Sequence, residues 1–143
     1  MGDNVAIERT FAMIKPDAVG RGLTGDIFSR IHAAGLQIVA VKTARLTLEE
    51  AGGFYAVHRA RPFFKDLIDF VGSGKVVALV LEGENAIASW RNTMGATDPA
   101  KAEEGTIRKA LGTSIQFNCT HGSDAPETAA FEIGYFFAGS DLI

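Results

Sequence analysis

The residues best suited to chemistry lie in one short segment, residues 118–124, which reads NCTHGSD. It is expected to join the end of a strand to the start of a helix. A histidine there lies beside unpaired backbone N–H groups and the positive end of a helix dipole, which attract phosphate groups. Neutral imidazole is a nucleophile near pH 7, so His121 indicates phosphoryl chemistry. Glu132, two turns into the helix, is the candidate carboxylate that would fix the tautomer of the ring.

Each of these residues also has an ordinary structural interpretation. His121 is consistent with a turn histidine, and Glu132 with a solvated helix residue. Ser123 and Asp124 are common N-cap types. For any one of them taken singly, the structural interpretation is the commoner one.

Two other chemistries involve the same segment. Cys119 and His121 are two residues apart and would share one face of a strand, which suggests a thiol nucleophile with its base. A buried free cysteine, however, behaves mainly as a small hydrophobic residue, and a hydrolase needs oxyanion geometry that the sequence does not indicate. The three histidines, His32, His58 and His121, lack the paired spacing of a zinc site.

Two glycine-containing segments resemble phosphate-binding motifs but fail in context. Residues 20–25 match G-x-G-x-x-G, yet residues 16–19 separate them from the strand, and Arg45 lies where an acidic ribose ligand is expected. As the start of a P-loop, the segment continues with Asp26 instead of lysine. Residues 72–75 contain a lysine but lack the leading glycine. Both segments are interpreted as turns.

Composition limits the class of protein. The chain has 143 residues, 47% of them hydrophobic and 22% charged, which suits one globular domain over residues 1–143. A net charge of −3 disfavours nucleic-acid coating, which needs clustered Lys and Arg. The longest apolar run, residues 76–81, is far shorter than the roughly 20 residues of a membrane span. Charged residues near the N-terminus and the single cysteine, Cys119, favour a cytoplasmic protein.

Hydrophobic periodicity and chain breakers predict strands at 10–15, 36–43, 76–81 and 114–120. They predict helices at 27–34, from Thr47 with Glu50 as a capping box, at 63–71, at 84–94, and from Asp124 with Glu127 through Phe137. This order is an α+β pattern that fits the ferredoxin-like split βαβ arrangement, a four-stranded antiparallel sheet with helices on its surface. Residues 95–112 are predicted to be a long irregular loop, and loops of that length are usually functional.

Two motifs, Asn118-x-x-His121-Gly122-Ser123-Asp124 and residues 13–17 (MIKPD), resemble the active-site signature and the first-strand motif of the nucleoside diphosphate kinase family. Further motifs follow in the order of the family: Tyr55 with residues 61–64 (RPFF), residues 82–86 (EGENA), Arg91-x-x-x-Gly95-x-Thr97-x-Pro99, and residues 105–108 (GTIR). The resemblance spans about residues 9–137, and the ferredoxin-like core of the family agrees with the predicted order of elements.

The resemblance implies a ping-pong reaction in which the γ-phosphoryl group of a nucleoside triphosphate passes to His121 and then to a nucleoside diphosphate. It implies a catalytic group made of His121, Glu132, Lys15 and Tyr55. The implied substrate-binding residues are Lys15, Phe63, Leu67, Arg91, Thr97, Arg108 and Asn118. Of these, Arg91, Thr97 and Arg108 would contact phosphates, and Lys15 and Asn118 the sugar hydroxyls.

By the same resemblance, the base would stack on Phe63, with Leu67 lining the slot. Stacking tolerates every base, so broad base specificity is expected. On its own, Phe63 is equally a candidate for packing in the core. Mg²⁺ is the implied cofactor, bound through nucleotide phosphates and water without direct side-chain ligation.

The implied partners are nucleoside triphosphates, with ATP as donor, and nucleoside diphosphates. No membrane and no specific nucleic acid are expected. The short segment after the last helix favours a homo-oligomer that is a tetramer or dimer over a hexamer. Ala125 and residues 109–112 (KALG) depart from the usual pattern of the family.

Two competing hypotheses share this fold or this histidine. Ferredoxin-like sheets also serve as RNA-recognition and regulatory modules, although the apolar strands at 10–15 and 76–81 suit burial better than RNA contact. A hydrolase could use the same phosphohistidine with water as the acceptor.

Overall fold

A computed structural model of the chain describes residues 7–142. Its strands are β1 (Ile7–Ile14), β2 (Gln37–Arg45), β3 (Lys75–Glu84) and β4 (Thr120–Gly122). Its α-helices are α1 (Pro16–Gly20), α2 (Thr24–Ala33), α3 (Leu48–Phe54), α4 (Phe64–Val71), α5 (Ala86–Met94), α6 (Ile107–Leu111) and α7 (Pro126–Phe136). No helix within this range has both the length and the apolar character needed to cross a bilayer.

The four strands form one antiparallel sheet in the order β2-β3-β1-β4. This confirms the ferredoxin-like α+β arrangement expected from the order of elements. In the register of the sheet, Phe11 on β1 lies opposite Val80 on β3, and Met13 lies opposite His121 on β4. His121 is therefore on a short outer strand, directly beside a central one.

Each face of the sheet has its own hydrophobic core, because successive side chains of a strand point to opposite sides. One core joins the sheet to α2 and α5 and contains Ile14, Ile27, Ile31, Leu79, Leu81 and Trp90. The other joins it to α3, α4 and α7 and contains Phe11, Met13, Phe54, Val71, Val80 and Phe136. The predicted strand at 76–81 is confirmed, and it lies in a central position that is covered on both faces, as its unbroken apolar run suits.

The predicted strand at 114–120 is wrong. β4 begins only at Thr120, and the preceding residues form a turn in which the N–H of Thr113 donates to the carbonyl of Phe117 (2.9 Å). Ile115 and Phe117 are residue types that favour strands, but both are exposed. Strand propensity reflects fit to a half-buried pleated surface, which these residues do not occupy.

The predicted irregular loop at 95–112 contains two short helical segments. A 3₁₀ turn spans Pro99–Lys101, where Asp98 accepts the N–H of Ala100 (3.0 Å), and α6 follows with Thr106 as its N-cap. The helix α1 was not predicted either. These segments are too short for a periodic hydrophobic pattern to appear in the sequence.

The two predicted capping boxes have different outcomes. At α3, the N–H of Glu50 donates to Oγ1 of Thr47 (3.0 Å) and the N–H of Thr47 to Oε1 of Glu50 (2.9 Å), which confirms the box. At α7, the predicted pairing of Asp124 with Glu127 is wrong, since Ala125 is the N-cap residue. Oγ1 of Thr128 accepts the N–H of Ala125 there (3.0 Å).

Each of the two glycine segments contains a turn, although part of each belongs to a neighbouring helix or strand. Residues 21–23 form the turn that connects α1 to α2, with Gly22 at a φ of 74°, a conformation that glycine adopts without steric cost. Gly20 is the last residue of α1, and Gly25 lies in the first turn of α2. Residues 72–74 connect α4 to β3, which begins at Lys75.

Gly122 is needed because β4 passes close to α5. A Cβ at this position would lie 2.6 Å from Cδ1 of Trp90 and 2.7 Å from Cε of Met94.

We expect Gly122→Ala to lower the free energy of unfolding by roughly 1–3 kcal/mol through overpacking, measured by urea denaturation. Gly134→Ala in α7 is the matched control, because a Cβ there meets nothing within 4 Å. It should raise stability by about 0.5–1 kcal/mol, and equal stability of the two variants would contradict the prediction.

Candidate active site

A cleft of about 700 Å³ is lined by residues from distant parts of the chain. All ten candidate site residues from the sequence line it. These are Lys15, Tyr55, Phe63, Leu67, Arg91, Thr97, Arg108, Asn118, His121 and Glu132. The fold therefore brings together side chains from α4, α5, α6, β4, α7 and the connections between elements, among them Lys15 between β1 and α1.

His121 lies in this cleft with one ring nitrogen engaged. Its Nε2 is 2.9 Å from Oε1 of Glu132. Because a carboxylate accepts the Nε2–H, this contact favours the tautomer whose lone pair is on Nδ1. The ring is edge-on to Phe54 and Tyr55, with centroid distances of 5.4 and 5.7 Å. The imidazole is therefore fixed in both orientation and tautomer.

Glu132 is not a solvated helix residue, because its side chain is only 12% exposed. Its Oε1 also accepts the hydroxyl of Ser123 (2.6 Å). Ser123, an N-cap candidate in the sequence, thus donates to a side chain instead of accepting a helix N–H. Ser123, Glu132 and His121 form a hydrogen-bonded relay across the junction of β4 and α7.

Lys15 and Asn118 form a buried polar pair at one wall of the cleft. Nζ of Lys15 donates to Oδ1 of Asn118 (2.6 Å), and Nδ2 of Asn118 donates to the carbonyl of Thr97 (3.0 Å). Burial lowers the pKa of Lys15 to about 8, helped by the charge of Arg108 and opposed by that of Asp17. The ammonium group is thus a cation near neutral pH that loses its proton easily.

Arg108 is held by the backbone of two neighbouring segments. Its guanidinium donates to the carbonyl of Gly95 (3.0 Å) and to the carbonyl of Thr120 (2.8 Å). Burial first, and then the charge of Arg91, lower the pKa of Arg108 to about 10. The guanidinium group of Arg108 therefore stays protonated at physiological pH. Both Arg108 and Arg91 line the same cleft as His121.

Tyr55 supplies a phenol that does not ionise near neutral pH. Burial raises the pKa of Tyr55 well above its usual value, and the charge of Glu132 raises it further. A protonated phenol keeps its O–H as a hydrogen-bond donor.

Apolar side chains line another part of the cleft. Phe63 is 49% exposed, so it is not a core residue, and its ring lies 5.5 Å from that of His58. Leu67, Val57 and Ile115 line the same cleft. Sequence reasoning missed Val57 and Ile115, because an apolar residue at a cleft has the same local pattern as one in a core, and it missed His58 because no motif includes this histidine.

Cys119 does not share a face with His121, and the predicted arrangement is wrong. Its φ of 76° breaks the alternation of a strand. The thiol packs in the core beside α2 and α5, whereas the His121 ring contacts Phe11 and Phe54 on the other side of the sheet. Burial and the charge of Asp17 raise the pKa of Cys119 to about 11, so the thiol stays neutral and is a poor nucleophile.

Comparison with known proteins agrees with this geometry. Residues 8–142 match the family described as "Nucleoside diphosphate kinase". The nucleoside diphosphate kinase of Bradyrhizobium diazoefficiens is 60% identical over 139 residues, which cover 97% of this chain and 99% of that protein. That of Brucella melitensis biotype 1 is 59% identical, with the same coverage.

Solved structures are similar in fold. The nucleoside diphosphate kinase of Aquifex aeolicus has a TM-score of 0.94 and 46% identity, covering 96% of this chain and 100% of that one. The halophilic enzyme of Halobacterium salinarum, solved in complex with CDP, has a TM-score of 0.92 and 44% identity, covering 96% and 92%.

A ferredoxin-like sheet with a cation-lined cleft around a histidine defines a phosphotransferase. The chain belongs to the nucleoside diphosphate kinase family. It transfers the γ-phosphoryl group of a nucleoside triphosphate to a nucleoside diphosphate, a reaction that in this family proceeds through a phosphohistidine. Enzymes of this family commonly use Mg²⁺.

The lowered pKa of Lys15 predicts a pH dependence. Above about pH 8 the ammonium loses its charge and attracts phosphate less strongly, so kcat/KM should fall on the alkaline side with a midpoint near that value. The measurement is kcat/KM for phosphoryl transfer between pH 6 and pH 10. In Lys15→Arg the cation stays charged, so the limb should move up to about pH 10, where Arg108 begins to lose its charge. A limb at the same pH in that variant would assign the titration to another group.

Proposed function

We propose that His121 is the residue that carries the phosphoryl group, on its Nδ1. The observation that supports this is the hydrogen bond from Nε2 to Glu132, which leaves the lone pair of Nδ1 available in a cleft lined by cations. Nδ1 attacks the γ-phosphorus while the bond to the bridging oxygen breaks, and the nucleoside diphosphate leaves with that oxygen. A terminal oxygen of a second diphosphate then attacks the phosphorus and displaces Nδ1.

Lys15, Arg91 and Arg108 stabilise the charge that is spread over the phosphoryl oxygens during transfer. The proposal is supported by the positions of these three residues, which come from separate segments of the chain and line one cleft. Arg108 is also held in place by two backbone carbonyls. Thr97 and the un-ionised phenol of Tyr55 donate hydrogen bonds to the same phosphates. Glu132 stabilises the imidazolium that forms when Nδ1 is phosphorylated.

The nucleoside occupies the apolar part of the cleft. Its base stacks on the exposed ring of Phe63, with Leu67 and Ile115 lining the slot, and its sugar hydroxyls bond to Lys15 and Asn118. Stacking on an apolar wall discriminates weakly between bases, which supports broad base specificity with ATP as one donor.

Mg²⁺ reaches this site on the phosphates of the nucleotide. Within residues 7–142, no group of three His, Cys, Asp or Glu side chains could hold a metal ion. Oε1 of Glu132 is engaged by His121 and Ser123, so Asp66 and Asp124 are the other cleft carboxylates that could bind a water on the ion. This donor set suits Mg²⁺, which keeps waters and phosphate oxygens as ligands. When bound, the ion neutralises phosphate charge.

The exposed edge of the sheet supports the assembly of this chain into an oligomer. β2 forms one edge of the sheet and exposes Val41, and an unpaired edge of this kind favours pairing with a second chain. A homo-oligomer, either a dimer or a tetramer, is therefore expected, and membership of the family supports a cytoplasmic location. The alternative of an RNA-binding module is disfavoured, because helices cover both faces of the central strands.

Incubation with Mg²⁺ and γ-labelled ATP should leave an acid-labile, base-stable phosphate on the wild-type protein. His121→Ala should remain unlabelled, because it lacks the nucleophile, while His32→Ala on α2 should label like the wild type. Equal labelling of His121→Ala would reject the proposal. A chase with a different nucleoside diphosphate should convert the label to triphosphate, whereas release as inorganic phosphate alone would favour the hydrolase.

Phe63→Ala should weaken nucleotide affinity by about 1–3 kcal/mol if the base stacks on this ring. Phe131→Ala on α7 is the matched control, since Phe131 is similarly exposed and does not line the cleft. Calorimetric titration with a nucleoside diphosphate measures both. Unchanged affinity in Phe63→Ala would place the base elsewhere.

A further inference from the structure

A strained turn lies between two of the proposed site residues, Asn118 and His121. Cys119 has a φ of 76°, and the N–H of Thr120 donates to the carbonyl of Asn118 (2.9 Å). A hydrogen bond between residues two apart, closed around a residue with positive φ, is a γ-turn of the rare and strained kind. Cys119 has a side chain, so it lacks the freedom of glycine at this position.

The turn determines which side chains reach the cleft. In a regular strand, residues three apart point to opposite faces of the sheet. Asn118 and His121 are three apart and yet both line the cleft, while the thiol of Cys119 is buried in the core beside α2 and α5. The γ-turn is what allows this Asn-x-x-His spacing to place both side chains in one site.

Backbone and side-chain groups from the start of α1 hold the turn in place. The N–H of Cys119 donates to Oδ2 of Asp17 (3.1 Å), and its carbonyl accepts the N–H of Lys15 (2.8 Å). Strained backbone persists only where its surroundings over-determine it. Of these two contacts, only the one from Asp17 is made by a side chain, so it is the one that a substitution can remove.

We propose that Asp17 is a positioning residue for phosphoryl transfer, which clamps the γ-turn at Cys119 and so keeps Asn118 and His121 in one cleft. The proposal rests on the roles proposed above for Lys15, Asn118 and His121. Asp17 itself acts through the backbone and does not line the cleft.

The charge of Asp17 adds a second effect on the site. Its Oδ1 is buried without a hydrogen-bond partner among residues 7–142, and its negative charge raises the pKa of Lys15 against the effect of burial. The groups that face the Lys15 ammonium are the Asn118 amide, the Gln116 carbonyl, the Phe70 ring, the thiol of Cys119 and the charges of Asp17 and Arg108. Asp17 thus favours the protonated form that binds phosphate.

Two substitutions separate the hydrogen bond from the charge. Asp17→Ala removes both and should lower kcat about 10- to 100-fold, the range expected when reacting groups are misplaced by an ångström or less. Asp17→Asn retains an oxygen that can accept the N–H of Cys119, so kcat near neutral pH should be largely restored. In Asp17→Asn, the pH at which kcat/KM falls on the alkaline side should be lower than in the wild type, because the negative charge that raises the pKa of Lys15 is lost. Asp26→Ala, which removes a carboxylate that pairs with Arg30 at the surface, should not change turnover.

A pair of double variants tests the turn directly. Asp17→Ala/Cys119→Gly and Asp17→Ala/Cys119→Ala both delete the thiol, but only glycine adopts a positive φ without steric cost. The glycine variant should therefore recover kcat relative to the alanine variant. Equal rates of the two would overturn the clamp, as would wild-type turnover of Asp17→Ala.

The labelling experiment on His121 keeps this proposal distinct from the proposed function. If wild-type labelling depends on His121 and Asp17→Ala is unimpaired, only the role of Asp17 fails. If His121→Ala is still labelled, the proposed function fails, whatever Asp17→Ala does.

Discussion

The hydrogen bond between Nε2 of His121 and Glu132 is the interaction on which the site depends. It requires β4 to lie beside β1 and α7 to follow at once, so that a strand residue and a residue two turns into the helix meet at 2.9 Å. Ser123 fixes the same carboxylate from the junction itself. The aromatic side chains behind the imidazole close off other orientations. The sheet order and the register of β4 are therefore requirements of the chemistry as much as of the core.

Preorganised charge is the second constraint. Removing Lys15 and Arg108 from water is costly, as their lowered pKa values indicate, and the protein meets part of this cost with backbone and amide oxygens. The result is a set of fixed donors that need little reorganisation when phosphate arrives. Residues 95–112 contribute to this preorganisation, because Gly95 supplies one of the backbone carbonyls that hold Arg108.

Much of the fold and of the candidate site could be predicted from the sequence. The strand at 76–81 and the Thr47 capping box follow from local patterns, and the motif resemblance identified ten of the residues that line the cleft. The sequence could not reveal that β4 starts only at Thr120, because Ile115 and Phe117 have the residue types of a strand. Nor could it reveal the conformation of Cys119, which depends on a contact with Asp17, 102 residues away. Long-range hydrogen bonds of this kind leave no local signal.

The mutual repulsion of the cations that line the cleft has a consequence for the protein in the cell. Arg108 lies close enough to both Lys15 and Arg91 for their charges to disfavour one another. Any polyphosphate that binds among them relieves this repulsion and stabilises the native state in proportion to the logarithm of its concentration. The heat tolerance of the enzyme is thereby coupled to the metabolic supply of its own reactants, so that starvation of nucleotides would also leave the protein more prone to unfold.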